Sequence, residues 1–92
     1  MGDAKFERIV AIHLAGTAVT DENVRQLRNL TNVRRLSLDD TALTDAGLVA
    51  LRGTPKEPRS VNLEYLSIRN TAVTNDQIEF FRYMLPNCKI VH

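Results

Sequence analysis

The 92-residue chain is poor in the residue types that mark several large classes of protein. It has no Trp and an aromatic fraction of 5%, so its core must be aliphatic. A single cysteine, Cys88, excludes an internal disulfide and a cysteine-based metal cluster, and it suits a reducing, cytoplasmic compartment. No apolar run approaches the ~20 residues of a membrane span, and no signal-peptide pattern opens the chain. We therefore expect no membrane association.

No charge of one sign dominates the chain either. The formal net charge is +1, and the acidic and basic residues are interspersed without a run of Lys or Arg. Such a pattern argues against a nucleic-acid partner. The length predicts one domain covering residues 1–92.

The dominant feature of the sequence is an internal repeat. Three segments share the order aliphatic-x-x-aliphatic-x-aliphatic-x-x-Thr-Ala-aliphatic-Thr-Asp/Asn, and their central aliphatic residues are Ile12, Leu36 and Leu66. These positions are 24 and 30 residues apart, and a further 24 residues lead to Ile90. A fixed period of this size is typical of stacked repeats. We divide the chain into repeats at about 9–32, 33–62 and 63–86, with a partial unit at 87–92.

Each repeat predicts a strand followed by a helix. Alternating aliphatic residues indicate a strand with one buried face, and the Thr-Asp or Thr-Asn that follows is a typical helix start. We expect N-caps at Thr20, Thr44 and Thr74, with a capping box between Thr74 and Gln77. The predicted strands are about 9–14, 33–38, 63–68 and a short 88–91, and the predicted helices are about 21–30, 45–52 and 75–85.

Strands joined in succession by helices predict an α/β fold with a parallel sheet and right-handed crossovers. Because no unit can bury its apolar face alone, the core would form by stacking. Thr17, Thr41 and Thr71 follow the three strands at equivalent positions, and we expect their hydroxyls to satisfy backbone groups of the turn. A catalytic Thr is the alternative, but three equivalent copies favour the structural role.

These motifs resemble the leucine-rich-repeat family. The run Leu-x-Leu-x-x-Thr-x-Leu-Thr-Asp-x-Gly-Leu at 36–48 is similar to the ribonuclease-inhibitor-like and cysteine-containing subclasses, which usually carry Cys or Asn where this chain has Thr41. The threonine form and the Leu-Pro-Asn-Cys-Lys-Ile-Val ending at 85–91 most resemble bacterial repeat proteins of the planctomycete type. The resemblance implies a solenoid with strands on the concave side, helices on the convex side, and a role in protein–protein recognition.

The strand residues that point away from the predicted core define a candidate binding face. Tyr65 flanked by Arg35, Lys89 and Arg69 is the predicted anchor, because Tyr and Arg are frequent in binding hot spots. The alternative is an ordinary solvated face on which Asp39 and Arg69 pair across adjacent strands. The full candidate set is His13, Arg35, Ser37, Asp39, Tyr65, Ser67, Arg69 and Lys89.

The segment Gly53–Asn62 accounts for the longer second repeat and is the second candidate contact. It carries two prolines and mixed charge, which is typical of a protruding connection. An adaptor contact and a tolerated insertion are both compatible with it, and we favour the insertion because lengthening a surface loop costs little free energy.

We predict no catalytic residue, no metal site and no cofactor, since no His/Cys/carboxylate cluster has the spacing of metal ligands. The leading hypothesis is a non-catalytic module that binds an unknown protein partner through the concave sheet face. The alternative is a structural segment that packs on a neighbouring domain or self-associates through open edge strands, as a monomer or weak homodimer. Phe6 could cover one end of the stack, and Phe80 or Tyr83 the other.

Overall fold

The structure is a computed structural model that describes residues 10–26, 33–57, 59 and 62–92. Strands and helices alternate along the chain as the repeat predicts. In chain order the elements are β1 (Val10–His13), α1 (Asp21–Arg25), β2 (Val33–Ser37), α2 (Asp45–Arg52), β3 (Tyr65–Ser67), α3 (Asn75–Met84) and β4 (Lys89–Val91). The predicted α/β class is thereby confirmed. The predictions made for Phe6 and for the helical positions 27–30 lie outside the described residues.

The four strands form one parallel sheet in the order β1-β2-β3-β4. Sequential order in a parallel sheet requires a crossover between neighbouring strands, and a helix lies in each crossover. The register aligns Ile12 with Leu36, Leu36 with Leu66, and Leu66 with Ile90. This register is the one that the spacing of the repeats predicts. It is interrupted once, between Val10 and Ala11, where β2 carries one additional residue.

The helices cover one face of this sheet, where the aliphatic positions of all units meet. Leu36 and Leu66 of the strands, together with Leu48, Leu51 and Phe81 of the helices, are at most 1% exposed. Burying side chains of this size is worth roughly 1.5–3 kcal/mol each before conformational entropy is subtracted. The buried hydrophobic cluster comprises Val24, Val33, Leu36, Leu38, Leu43, Leu48, Leu51, Leu63, Leu66, Ile68, Ile78, Phe81, Leu85, Cys88 and Ile90.

After each of the first three strands the chain turns through a left-handed residue. Gly16, Asp40 and Asn70 occupy equivalent positions and have φ angles of 71°, 58° and 57°. Gly, Asn and Asp are the residues that adopt this conformation at least cost. The turn is therefore the same in all three units, and it is specified by three different residue types.

The threonines that follow each turn close it, as the sequence predicts. The hydroxyls of Thr17, Thr41 and Thr71 donate to the carbonyl oxygens three residues earlier, at 2.6, 2.7 and 2.8 Å respectively. Thr17 is exposed, whereas the other two are half-buried. Because each hydroxyl is engaged in the same backbone hydrogen bond, the three residues have one structural role.

Thr20, Thr44 and Thr74 occupy the predicted N-cap positions of the three helices. The Thr20 hydroxyl accepts from the Asn23 backbone N–H, and the Asn23 side chain accepts from the Thr20 backbone N–H at 3.0 Å. The Thr44 hydroxyl accepts from the backbone N–H of Ala46 at 3.3 Å. These hydrogen bonds satisfy helix-start groups that have no partner within the helix.

The predicted capping box between Thr74 and Gln77 is wrong. The Thr74 side chain makes no hydrogen bond to α3. The Thr74 backbone N–H, which Gln77 would receive in a capping box, donates to Asp45 Oδ1 at 2.7 Å, and the Thr74 hydroxyl donates to Asp45 Oδ2 at 2.9 Å. Gln77 Oε1 is instead buried without a hydrogen-bond partner among the described residues. A contact from the preceding unit has therefore replaced the local one.

That contact recurs between neighbouring units. The carboxylate at the start of one helix accepts two hydrogen bonds from the N-cap threonine of the next helix. Asp21 receives the backbone N–H of Thr44 at 2.8 Å and the Thr44 hydroxyl, and Asp45 receives the backbone N–H of Thr74 at 2.7 Å together with its hydroxyl. A carboxylate at a helix start is expected to complement the helix dipole, and here Asp21 and Asp45 also link successive helices.

The first of these links, between Asp21 and Thr44, requires a glycine at position 47 of the neighbouring helix. A Cβ atom at Gly47, in the first turn of α2, would collide with the Asp21 carboxylate and with the Leu43 side chain. Asn23 holds the equivalent position in α1, where its Oδ1 accepts from both the backbone N–H and the hydroxyl of Thr20. Gly47 thus permits the close approach of Asp21 to Thr44.

The predicted connection at Gly53–Asn62 leaves α2 through Gly53, which has a φ of 73°. Residues 54–57 are exposed, as expected for a protruding connection. A short turn orders them, since Thr54 N–H donates to the Glu57 carbonyl at 3.1 Å and Glu57 N–H donates to the Thr54 hydroxyl at 3.0 Å. The connection then returns to the helix end, where Arg59 N–H reaches the Arg52 carbonyl at 3.0 Å.

Replacing Asp45 tests the link between α2 and α3. We expect Asp45→Ala to lower the free energy of unfolding by about 2–3 kcal/mol, because two hydrogen bonds to a charged acceptor are lost. The measurement is urea denaturation followed by circular dichroism. Asp76→Ala is the matched control, since Asp76 is an exposed acid in the first turn of α3 whose removal costs only the dipole term of about 0.3–1 kcal/mol. Equal losses in the two variants would contradict the link.

Replacing Gly47 tests the close approach of α1 and α2. Alanine favours a helix over glycine by about 1 kcal/mol, yet we expect Gly47→Ala to destabilise the protein by roughly 1–3 kcal/mol through overpacking. Urea denaturation of Gly47→Ala, Asp21→Ala and the double variant gives the coupling between the two sites. The double variant should lose less than the sum of the single losses, and strict additivity would count against the clash.

The buried thiol gives a prediction about pH. Burial raises the pKa of Cys88 from 9.0 to about 11, because a less polar environment disfavours the thiolate. The unfolded chain therefore releases its proton first, and stability falls as pH rises from about 9 to about 11. Urea denaturation at about pH 8 and about pH 10.5 should show a smaller loss for Cys88→Ala than for the unaltered chain. The same loss in both proteins would contradict this assignment.

Candidate functional site

The face of the sheet opposite the helices carries the predicted binding residues. The register places Ala11, Arg35, Tyr65 and Lys89 in one row across the four strands, and His13, Ser37, Ser67 and Val91 in the next. Asp39 and Arg69 continue a third row beyond the strand ends, where Asp40 N–H donates to the Arg69 carbonyl at 2.9 Å. We refer to these ten residues as the open face.

Tyr65 lies at the centre of the first row between two cationic side chains. It is half-buried, whereas Arg35 and Lys89 on either side are exposed. The Arg35 guanidinium carbon lies 5.6 Å from the centre of the Tyr65 ring, a distance at which the ring attracts a cation. Of the predicted anchor, the structure therefore brings Arg35 into contact with the Tyr65 ring and places Lys89 beside Tyr65 in register.

Asp39, Ser67 and Arg69 form a hydrogen-bonded group in the second and third rows. The Ser67 hydroxyl donates to Asp39 Oδ1 at 2.6 Å, and the Arg69 backbone N–H donates to the same oxygen at 2.7 Å. Ser67 is only 5% exposed, so it stabilises this group and offers little surface to a partner.

The alternative of an Asp39–Arg69 side-chain pair is not what the structure contains. Asp39 accepts the backbone N–H of Arg69 rather than its guanidinium. In the part of the chain that the structure describes, the Arg69 side chain forms no ion pair. Arg69 is exposed, and its charge is therefore free to meet solvent or a partner.

His13 and Ser37 lie in register on the open face, His13 exposed and Ser37 half-buried. His92 lies at the other edge of the sheet, with its Nε2 3.3 Å from an Arg82 guanidinium nitrogen. Among the described residues, no group of three or more His, Cys, Asp or Glu side chains is arranged to hold a metal ion. His13 on β1 and His92, which follows β4, thus lie at opposite edges of the sheet.

The structure contains two charged contacts outside the predicted site. Arg34 and Glu64 form an ion pair at 2.9 Å between β2 and the residue preceding β3. On the helix side, Arg52 is 8% exposed and its guanidinium carbon lies 4.4 Å from the centre of the Phe80 ring. Opposite charges at equivalent repeat positions signal the first contact, whereas the second depends on how α2 and α3 pack.

A separate open cavity of about 520 Å³ lies beside α2, away from the open face. Its lining includes Arg25 of α1 and Gly53, Thr54 and Glu57 of the connection that follows α2. Arg25 is already engaged by Glu22 at the helix surface. None of the open-face residues lines this cavity, so the connection and the open face are separate candidate surfaces.

Comparisons with known proteins give no family assignment: no protein-family model matches the chain, and no curated protein matches it. Among the described residues, no helix has the length and apolar character needed to cross a membrane. The open face and the repeat are therefore the features of this chain that bear on its function.

Proposed function

We propose that the chain is a leucine-rich-repeat domain of the bacterial type, a right-handed solenoid whose concave sheet face binds a protein partner without catalysis. The observation that carries this proposal is the row Arg35, Tyr65 and Lys89, held in register on three neighbouring strands. The recurrence of the Thr-Asp motif and of the left-handed turn in successive units supports the family assignment. The proposal includes a cytoplasmic location, with which a single buried thiol is compatible.

The composition of the row favours recognition over a purely structural role. Aromatic and arginine side chains supply most of the binding free energy in protein interfaces. Tyr65 combines an apolar ring with a hydroxyl, and its partly buried position limits the side-chain entropy that binding would remove. The equivalent threonines after the strands take no part in chemistry in this proposal, because their hydroxyls donate to backbone carbonyls.

The second candidate function is a structural segment that packs on a neighbouring domain or on a second copy of itself. The observation that favours it is the sheet order, in which β1 and β4 each have one described neighbour only. A strand edge offers backbone hydrogen-bonding groups to another chain. Sedimentation equilibrium separates the two functions, since a tight dimer at micromolar concentration supports the structural role and a monomer supports the partner module.

The test of the leading function is a comparison of two surface variants. Arg35→Ala/Tyr65→Ala removes the centre of the open face, and Tyr83→Ala removes a tyrosine of α3 that is 78% exposed. We expect tagged protein recovered from the native cell to lose specific partners only in the first variant. If Tyr65 is a hot spot, the affinity should fall by at least about thirtyfold. Retention of the same partners by the double variant would contradict the proposal.

A further inference from the structure

The open face carries cationic charge that nearby carboxylates do not compensate. Arg35, Lys89 and Arg69 are all exposed. Within the described ranges none of the three forms an ion pair, and Arg35 contacts the Tyr65 ring instead. The guanidinium and ammonium donors of these side chains therefore stay open to an external acceptor.

The one carboxylate of the open face, Asp39, is held within the protein. Its Oδ1 accepts from the Ser67 hydroxyl and from the backbone N–H of Arg69, which fixes the carboxylate above the turn that follows β3. One negative charge stands against the three positive charges of Arg35, Lys89 and Arg69, so the net charge of the open face is positive. The chain as a whole has a net charge of only +1, and this balance is consequently a local property.

One position earlier in the repeat, a positive charge is compensated by a carboxylate on the neighbouring strand segment. Arg34 and Glu64 stand at equivalent repeat positions, and their side chains pair at 2.9 Å. One residue further along, the neighbours of Tyr65 in register are Arg35 and Lys89. The Tyr65 ring between them carries no negative charge, so the charges of Arg35 and Lys89 are not neutralised and both side chains can bind an external carboxylate.

We propose that the open face recognises an acidic segment of a protein partner, whose Asp or Glu carboxylates are received by Arg35, Lys89 and Arg69. An apolar side chain of the same segment packs on Tyr65. Arg35 and Lys89 stand two strand spacings apart, about 10 Å, so the segment crosses at least three strands. This inference rests on the proposed function and adds the chemistry of the partner. Charge complementarity is the argument for it.

The probe is a fluorescein-labelled peptide rich in Glu with a central Leu, and its binding is followed by fluorescence anisotropy. Versions with Gln or Lys in place of Glu are the peptide controls. We expect the Glu peptide to bind most tightly and to weaken between about 20 mM and about 200 mM NaCl, as screening shortens the range of the charges. Equal binding of the Glu and Gln peptides would overturn the inference.

The residues are tested by charge removal with a matched control. Arg35→Gln, Lys89→Gln and Arg69→Gln should each weaken binding of the Glu peptide about twofold to fivefold, and the triple variant should weaken it by the product of these factors. Lys56→Gln removes one exposed positive charge from the connection after α2 and should leave affinity unchanged. An equal effect of Lys56→Gln would show attraction by net charge alone and would overturn the assignment.

A single-stranded RNA with the same number of charges tests the class of partner. Tighter binding of the RNA than of the Glu peptide would replace the acidic protein with a nucleic acid. Failure of the proposed function has a different signature, because cellular partners would then be retained by Arg35→Ala/Tyr65→Ala. Partners that require Tyr65, yet bind the triple Gln variant unchanged at both salt concentrations, would leave the proposed function intact and refute the acidic segment.

Discussion

Two carboxylates determine how the units of this protein align. Asp21 and Asp45 each accept a backbone N–H and a hydroxyl from the N-cap threonine of the following helix. A helix start has backbone donors that the helix itself cannot satisfy, and here the preceding unit contributes to satisfying them. The starts of α2 and α3 are therefore each held by the preceding helix, whereas α1 is capped by its own Asn23. The register of the strands and the buried hydrophobic cluster join the same units on the sheet side of the helices.

The alignment also produces the candidate binding face. Because Leu36 and Leu66 stand in register on the buried side, the residues that precede them, Arg35 and Tyr65, must stand in register on the other side. Core packing therefore determines where the residues of the open face lie. It does not determine which residue types occupy those positions. Substitutions at the exposed positions of the open face change the chemistry of the surface and leave the buried aliphatic contacts in place.

Much of the fold can be predicted from the sequence because it depends on local, recurring signals. The alternation around Leu36 predicts a strand, and the helix start at Thr44 predicts the next element. The rows of the open face follow from spacing alone. The contacts between units are different, since Thr74 reaches Asp45 across 29 positions and its local partner Gln77 is not used. Pattern reasoning favours the nearer acceptor and cannot compare it with one in another unit.

The same reasoning explains the errors on the open face. Spacing assigns Ser67 to the exposed side, but the Asp39 carboxylate covers it. The side-chain pairing of Asp39 with Arg69 is plausible from charge, yet a backbone N–H competes better because it is fixed in place. The face of a strand on which a residue lies can be predicted from the two-residue period of the strand. The donor that Asp39 selects depends on distances that only the folded structure fixes.

The link between Asp45 and Thr74 has a direction. The second unit offers the Asp45 carboxylate to the following unit and receives the Asp21 carboxylate of the preceding unit at Thr44, so this contact distinguishes head-to-tail stacking from an inverted arrangement. A duplicated copy of the second unit, placed beside the original, would meet an acceptor on one side and present one on the other. The third unit differs, because Asn75 stands where Asp21 and Asp45 stand, and an amide oxygen carries no negative charge. A unit stacked after the third would therefore meet an amide oxygen, and not a carboxylate, at the position from which Asp21 and Asp45 reach the next helix.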